Sequence, residues 1–243
     1  MSRFGYAVRE LSAAQKSTKG VSLYSRYVNR PAGRLLAAAG YAIKLTPNQI
    51  TLISAAFSLG GVVLIAALRP SFAAAVAICA ALVVGFALDS ADGQLARLTG
   101  AGSAAGEWLD HVVDCGKMLA LHMAVLIAFY RHFGFSDPLY LLMPVVFQFA
   151  AVMVFFGGIL TEQLKRADRL KRGGAAPPAP ASGSTLRAVA LLPVDYGVFC
   201  AVFLLFGSRD VFVAVYGVLL AVHVLFLVAF LVKWYRELSA PGR

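Results

Sequence analysis

The apolar positions of this chain do not form the one-sided stripes of soluble helices. They gather in long runs, and the run from Phe72 to Leu88 holds no charged residue. A bilayer core about 30 Å thick needs roughly 20 helical residues, and several runs reach that length. The pattern predicts six transmembrane helices, at 48–68, 72–98, 104–131, 138–165, 188–207 and 210–234. Short breaks separate them: Arg69-Pro70-Ser71, Gly100 and Gly102, Gly134 to Pro138, and Gly207 to Asp210. The expected fold is an all-α integral membrane protein.

Two further segments stand outside these spans. Between about Ser22 and Ile43, Tyr24, Tyr27, Val28, Leu35 and Leu36 alternate at helical spacing with Arg26, Arg30 and Arg34. This predicts an amphipathic helix, lying on the membrane interface or packed on the protein. Gly173 to Ser184 is a Gly/Ala/Pro/Ser tract and reads as a flexible loop. The expected organisation is an N-terminal segment 1–45 carrying the interfacial helix, a six-helix domain 46–236 and a tail 237–243.

Composition agrees with the pattern. The chain is 60% hydrophobic and 14% charged, against about 25% charged in a soluble domain. Its three cysteines, Cys79, Cys115 and Cys200, lie in apolar segments and read as small buried hydrophobes. Residues 1–44 are polar and basic, so no cleavable signal peptide is expected.

The net charge of +10 matters less than its distribution. Of 22 Lys and Arg residues, 18 fall before the first span, at the end of the second, between the fourth and fifth, or at the C-terminus. Only Arg69, Arg131 and Arg209 fall on the other side, and Lys117 lies inside a span. This bias places both termini in the cytoplasm and implies an even number of spans. The cell membrane is the expected location. The basic charge then serves topology and anionic lipid rather than nucleic acid, for which the chain has no soluble basic domain.

The acidic residues carry the chemistry. Asp89, Asp92, Glu107, Asp110 and Asp114 are five of the twelve in the chain, and they occupy 26 consecutive positions at the cytoplasmic ends of the second and third spans. Asp89 and Asp92 are three apart, and Asp110 and Asp114 four apart, so each pair shares a helix face. The turn at Thr99 to Gly102 makes the two helices antiparallel neighbours, so the acidic faces can meet. Four carboxylates in a low-dielectric site repel unless cations compensate them. An all-oxygen site favours a hard ion, Mg²⁺, Mn²⁺ or Ca²⁺. Four carboxylates could hold two ions roughly 4 Å apart, an arrangement suited to phosphoryl chemistry. The alternative use of such carboxylates is an ion-binding transporter. Transport predicts polar groups recurring at depth in other spans, and the fifth and sixth spans carry almost none.

Nearby residues fit the same chemistry. Gly93 and Gly106 would leave room for a ligand, or simply allow close helix packing. Arg97 keeps its charge and can bridge phosphate oxygens. Thr46 and Pro47 suit the start of the first span.

Written with gaps, the region is D-x2-D-G-x2-A-R-x8-G-x3-D-x3-D, formed by Asp89, Asp92, Gly93, Ala96, Arg97, Gly106, Asp110 and Asp114. It resembles the CDP-alcohol phosphotransferase family at every fixed position. The resemblance implies that Asp89, Asp92 and Asp110 ligate metal, and that Asp114 completes the site and takes the acceptor hydroxyl's proton. It implies that Gly93, Ala96, Arg97 and Gly106 line a CDP pocket, with Asn48, from a segment that also looks like the family's, facing the nucleotide. The reaction implied is transfer of a substituted phosphoryl group from a CDP-alcohol to an acceptor alcohol, displacing CMP. The expected cofactors are two divalent cations, Mg²⁺ or Mn²⁺, and the resemblance implies a homodimer.

The substrates are read two ways. A compact six-span chain looks like the phosphatidyltransferases that use CDP-diacylglycerol and a polar acceptor in phospholipid biosynthesis. Yet Gly106-Glu107-x2-Asp110-His111-x2-Asp114 resembles the choline and ethanolamine branch, whose acceptor is diacylglycerol, and there Glu107 and His111 would share the base role. Lys117, three residues after Asp114, would pair with it or contact an acceptor phosphate, helped by Arg166.

Overall fold

The computed structural model describes residues 2–13, 21–171, 173 and 184–239. The described residues are 88% helical, with no strand. Five helices are long and apolar enough to cross a membrane: Pro47–Ala67, Phe72–Thr99, Ala104–Phe133, Pro138–Lys171 and Arg209–Ser239. We label the α-helices α1 (Arg3–Ala13), α2 (Arg30–Ala42), α3 (Pro47–Ala67), α4 (Phe72–Thr99), α5 (Ala104–Ala128), α6 (Leu142–Lys171), α7 (Thr185–Ala190), α8 (Tyr196–Val202) and α9 (Arg209–Ser239).

Local chemistry sets where the first three long helices begin. Thr46 and Gln49 form a capping box: Gln49 N donates to Thr46 Oγ1 at 3.3 Å and Thr46 N donates to Gln49 Oε1 at 2.8 Å. Ser71 accepts from Ala74 N and Ser103 from Gly106 N, each at 3.1 Å. Gly100 closes α4 with φ +66°, a conformation open to glycine without strain. The turn at 100–103 therefore folds α5 back along α4, as the breaks in the pattern predicted.

Small residues let α3 and α4 approach. Ser54 Oγ donates to the Gly85 carbonyl at 2.8 Å. A Cβ on Gly85 would lie 3.0 Å from the Ser58 nitrogen and 3.2 Å from the Ser54 carbonyl oxygen. This is the small-residue packing by which membrane helices associate.

The predicted fifth span, 188–207, is not one long helix. It is divided into α7, a 3₁₀ turn at Leu192–Val194, α8, and a second 3₁₀ turn at Phe203–Leu205. Pro193 has no N–H to continue a helix, and Asp195 starts a new one by accepting from Gly197 N at 2.8 Å and Val198 N at 3.2 Å. The apolar character of this stretch comes from core packing: Phe199, Cys200, Phe203 and Phe206 are all buried. Among the described residues five of the predicted spans are membrane-length helices, and the fifth predicted span is built from shorter pieces. The chain still returns between α6 and α9, because these two run parallel. Phe147 packs on Tyr216 and His223, and Lys165 pairs with Glu237.

The N-terminal segment is more structured than its polarity predicted. The amphipathic stretch forms a π-helical turn, Ser25–Asn29, that runs into α2. Gly33, Ala37, Ala38 and Gly40 are buried, while Tyr27, Val28, Leu35 and Ile43 stay exposed. One face thus packs on protein, and a Cβ on Gly33 would lie 2.7 Å from Ser90 Oγ of α4. Helix α1, not predicted, buries Ala7 and Leu11 in a cluster with Ala37, Ala38, Ala91 and Leu95. Ser22 and Ser25 donate to the Asp195 carboxylate and tie this segment to α8. The predicted loop lies almost wholly outside the described residues, as does most of the tail.

The packing gives a test. Gly85→Val should cost about 1–3 kcal/mol through overpacking, read as a lowered thermal midpoint in detergent. Gly60→Ala, where a Cβ meets nothing within 4 Å, should leave the midpoint equal or raise it slightly.

Candidate active site

The aspartates lie where the C-terminal part of α4 faces the N-terminal part of α5. Asp89, Asp110 and Asp114 each present a carboxylate oxygen within 4.8 Å of the others. The predicted faces do meet. Asp92 lies apart from this trio. It is buried, accepts from Thr51 Oγ1 at 2.6 Å, and is also bonded by the Gly93 N–H.

Lys117 sits against the trio. Its ammonium donates to Asp89 Oδ1 at 2.6 Å, Asp114 Oδ1 at 3.1 Å and Ser54 Oγ at 3.1 Å. An ammonium has three N–H donors, and all three are engaged by the protein. The sequence-predicted pair with Asp114 is present, and Asp89 joins it. Three carboxylates and one ammonium leave a formal charge of −2 in a half-buried, all-oxygen donor set. A divalent hard cation fits both that charge and those donors.

A cleft of about 450 Å³ opens beside the trio on its polar side. Asn48, Gly93, Ala96, Arg97 and Gly106, predicted as one group, all line it, together with Asp92 and Asp110. The glycines explain its width. A Cβ on Gly93 would meet only Arg97 Nη1, at 3.5 Å, so its side faces open space. A Cβ on Gly106 would lie 3.2 Å from Asn48 Oδ1. Glu107 and Arg166 sit on the rim, where Arg166 Nη1 reaches Glu107 Oε2 at 3.4 Å and Gln163 Nε2 donates to Glu107 Oε1 at 3.1 Å. His111 is half-buried and is not among the residues lining the cleft.

On the other side of the trio lies a smaller cavity of about 170 Å³. Asp89, Asp114 and Lys117 form its polar end, and Phe86, Met118, Phe155 and Tyr196 its apolar walls. Met118, Phe155 and Tyr196 also line a neighbouring apolar cavity of about 250 Å³. The aspartates therefore separate a polar cleft from an apolar interior.

The profile of the CDP-alcohol phosphatidyltransferase family matches residues 44–229. The chain belongs to this family. No curated protein matches the chain. Among solved structures, it resembles Mycobacterium tuberculosis phosphatidylinositol phosphate synthase with CDP-DAG bound, at 18% identity and a TM-score of 0.59, over 88% of this chain and 96% of that one. At that identity the likeness shows a shared fold. As a CDP-alcohol phosphatidyltransferase, the chain is a membrane transferase of phosphate-containing groups, in a family generally dependent on divalent metals.

Three residues in this phosphatidyltransferase site had escaped sequence reasoning. Thr51 holds Asp92, Ser54 holds Lys117, and Tyr196 borders both inner cavities with a buried hydroxyl that has no hydrogen-bond partner among the described residues. A signal existed for the first two: Thr51, Ser54 and Ser58 recur at helical spacing in an otherwise apolar span. Tyr196 had no such signal.

Lys117→Met tests the compensation. It would leave two carboxylates without their ammonium, a loss on the order of 3–5 kcal/mol for a buried pair. The variant should unfold well below wild type in chelator, and added Mg²⁺ or Mn²⁺ should narrow the gap. An equal gap with and without divalent cation would contradict the fit.

Proposed function

We propose that this phosphatidyltransferase transfers a phosphatidyl group from CDP-diacylglycerol to a polar acceptor alcohol and releases CMP. The observation that carries the proposal is the three-carboxylate cluster joined, through Asp110, to a cleft lined by Gly93, Ala96, Arg97, Gly106 and Asn48. Asp89, Asp110 and Asp114 would hold divalent cations, two Mg²⁺ or Mn²⁺ ions, while Asp92, held by Thr51, lines the same cleft as Asp110. Such cations neutralise a diphosphate and stabilise the departing CMP.

The chain's own residues would do the rest. Gly93 and Gly106 give the nucleotide room against α4 and α5. Arg97 holds phosphate oxygens as a fixed charge with several donors. Lys117 fixes Asp114 through Oδ1, which leaves Oδ2 for the acceptor hydroxyl. Asp114 takes that hydroxyl's proton, the acceptor oxygen bonds to phosphorus, and the bond to the CMP oxygen breaks. Of the three residues considered as base, Asp114 alone touches both the cluster and the inner cavity; Glu107 is engaged at the rim. The 18-to-3 distribution of cations supports cytoplasmic termini, a cytoplasmic active site and location in the cell membrane.

A second reading rests on the inner cavities. Phe86, Met118 and Phe155 make the space behind Asp114 apolar, which suits a lipid alcohol as acceptor. In that case the donor carries a soluble headgroup, and diacylglycerol enters from the membrane side. Purified protein given CDP-diacylglycerol with glycerol phosphate, inositol, inositol phosphate or serine should release CMP and yield a new phospholipid by mass spectrometry. Product only from CDP-choline or CDP-ethanolamine with diacylglycerol would select the second reading, and no CMP from any pairing would contradict both.

Two variants probe the assigned roles. Asp114→Asn should reduce kcat by about 10²–10⁴ while the protein keeps its thermal midpoint within a few degrees; near-normal turnover would remove Asp114 as base. Gly93→Val should raise KM for the CDP donor with little change in thermal midpoint, because its side chain fills cleft rather than core. An unchanged KM would move the nucleotide elsewhere.

A further inference from the structure

The end of the bundle opposite the aspartates holds a second cleft, of about 650 Å³, lined by Arg69, Arg131, His132 and Arg209 together with Ala67 and Gly207. Arg69 comes from the α3–α4 connection, Arg131 and His132 from the turn that ends the third span, and Arg209 from the start of α9. These three arginines are all the cations that the charge distribution leaves on this side. They could have been dispersed, yet they share one cleft.

Two acids, Asp137 and Asp210, belong to this end, and neither lines the cleft. Among the described residues the three arginines form no ion pair with a carboxylate, and Asp137 instead accepts from Leu139 N at 2.8 Å. Arg131 donates to the Ala66 carbonyl at 3.3 Å and Arg209 to the Gly134 carbonyl at 3.5 Å, and Arg209 also lies 4.9 Å from the Phe135 ring centroid. Arg69 donates no hydrogen bond among the described residues. Most of the fifteen or so N–H donors that three guanidinium groups carry thus make no hydrogen bond to protein among the described residues. His132 Nε2 is buried without a hydrogen-bond partner. Three exposed guanidinium groups sharing one cleft with no carboxylate in its lining present a site for an anion, and the planar fork of arginine matches phosphate.

The neighbouring residues indicate the depth of the cleft. Tyr130 is 77% exposed and Phe72 80% exposed. An exposed tyrosine at a helix end marks the level of lipid headgroups. No carboxylate lines the cleft to receive the ammonium of a zwitterionic headgroup.

We propose that this cleft binds the phosphodiester headgroup of an anionic phospholipid from the leaflet opposite the aspartate site. The lipid would clamp the ends of α3, α5 and α9 together, and the site is independent of the transfer reaction.

The test uses full-length protein in neutral detergent and reads binding, not turnover. Thermal midpoints are followed against phosphatidylglycerol, phosphatidylcholine and inorganic phosphate, for wild type and for a variant carrying Arg69→Gln, Arg131→Gln and Arg209→Gln. Phosphatidylglycerol should raise the wild-type midpoint more than phosphatidylcholine does, and inorganic phosphate should not reproduce the effect. In the variant, the half-saturating phosphatidylglycerol concentration should rise on the order of tenfold. If the triple variant does not fold, Arg69→Gln alone, which removes no protein hydrogen bond, should raise that concentration several-fold. Equal response to the two lipids, an unchanged concentration in the foldable variant, or full stabilisation by inorganic phosphate would overturn the proposal.

Discussion

Carboxylates gathered at membrane depth repel one another, and removing them from water adds to the cost. The structure meets this constraint with a single ammonium. Lys117 bonds Asp89 on α4, Asp114 on its own helix α5, and Ser54 on α3. Three membrane helices therefore converge on one charge. The geometry depends on how closely α3 and α4 approach, which the Ser54–Gly85 contact permits. It depends equally on the capped starts of α3 and α5 and on Gly100, which together set the relative height of the acidic faces. A cation bound at the trio would work with this arrangement, since the ammonium leaves two negative charges uncompensated.

The placement of the cluster has a chemical consequence. On one side lies a polar cleft with Arg97 and two glycines, and on the other an apolar cavity with Phe86, Phe155 and Tyr196. A transferase that joins a soluble group to a lipid needs such a boundary at its reacting atoms. In this chain Asp110 lines the cleft, and Asp89 and Asp114 line the inner cavity. The same three residues would hold the metal and separate the polar cleft from the apolar interior, and Asp114 would accept the proton.

Much of this was legible in the sequence. The spacings of three and four placed Asp89, Asp110 and Asp114 on meeting faces, and the glycine-marked turn set the antiparallel pairing. The five cleft residues expected together are found together. Asp92 shows where spacing stops being informative. Its bond to Thr51 joins positions 41 apart in sequence and depends on the rotation of α3, which packing decides. The fifth predicted span, expected as one long helix, is divided for a different reason. Hydropathy does not distinguish apolar side chains that face lipid from those, like Phe203 and Phe206, that fill a core. Helix α1 was hidden because a polar surface helix needs only Ala7 and Leu11 to anchor it, too few to form a visible pattern.

The central claim is that Asp89, Asp110 and Asp114 form a divalent-cation site. The direct measurement is anomalous X-ray scattering from crystals of the protein grown with Mn²⁺. A manganese peak should appear, bounded by carboxylate oxygens of these three residues and adjoining the cleft of Gly93 and Arg97. A fully ordered site with no manganese peak, Lys117 keeping its bonds to Asp89 and Asp114, would contradict it.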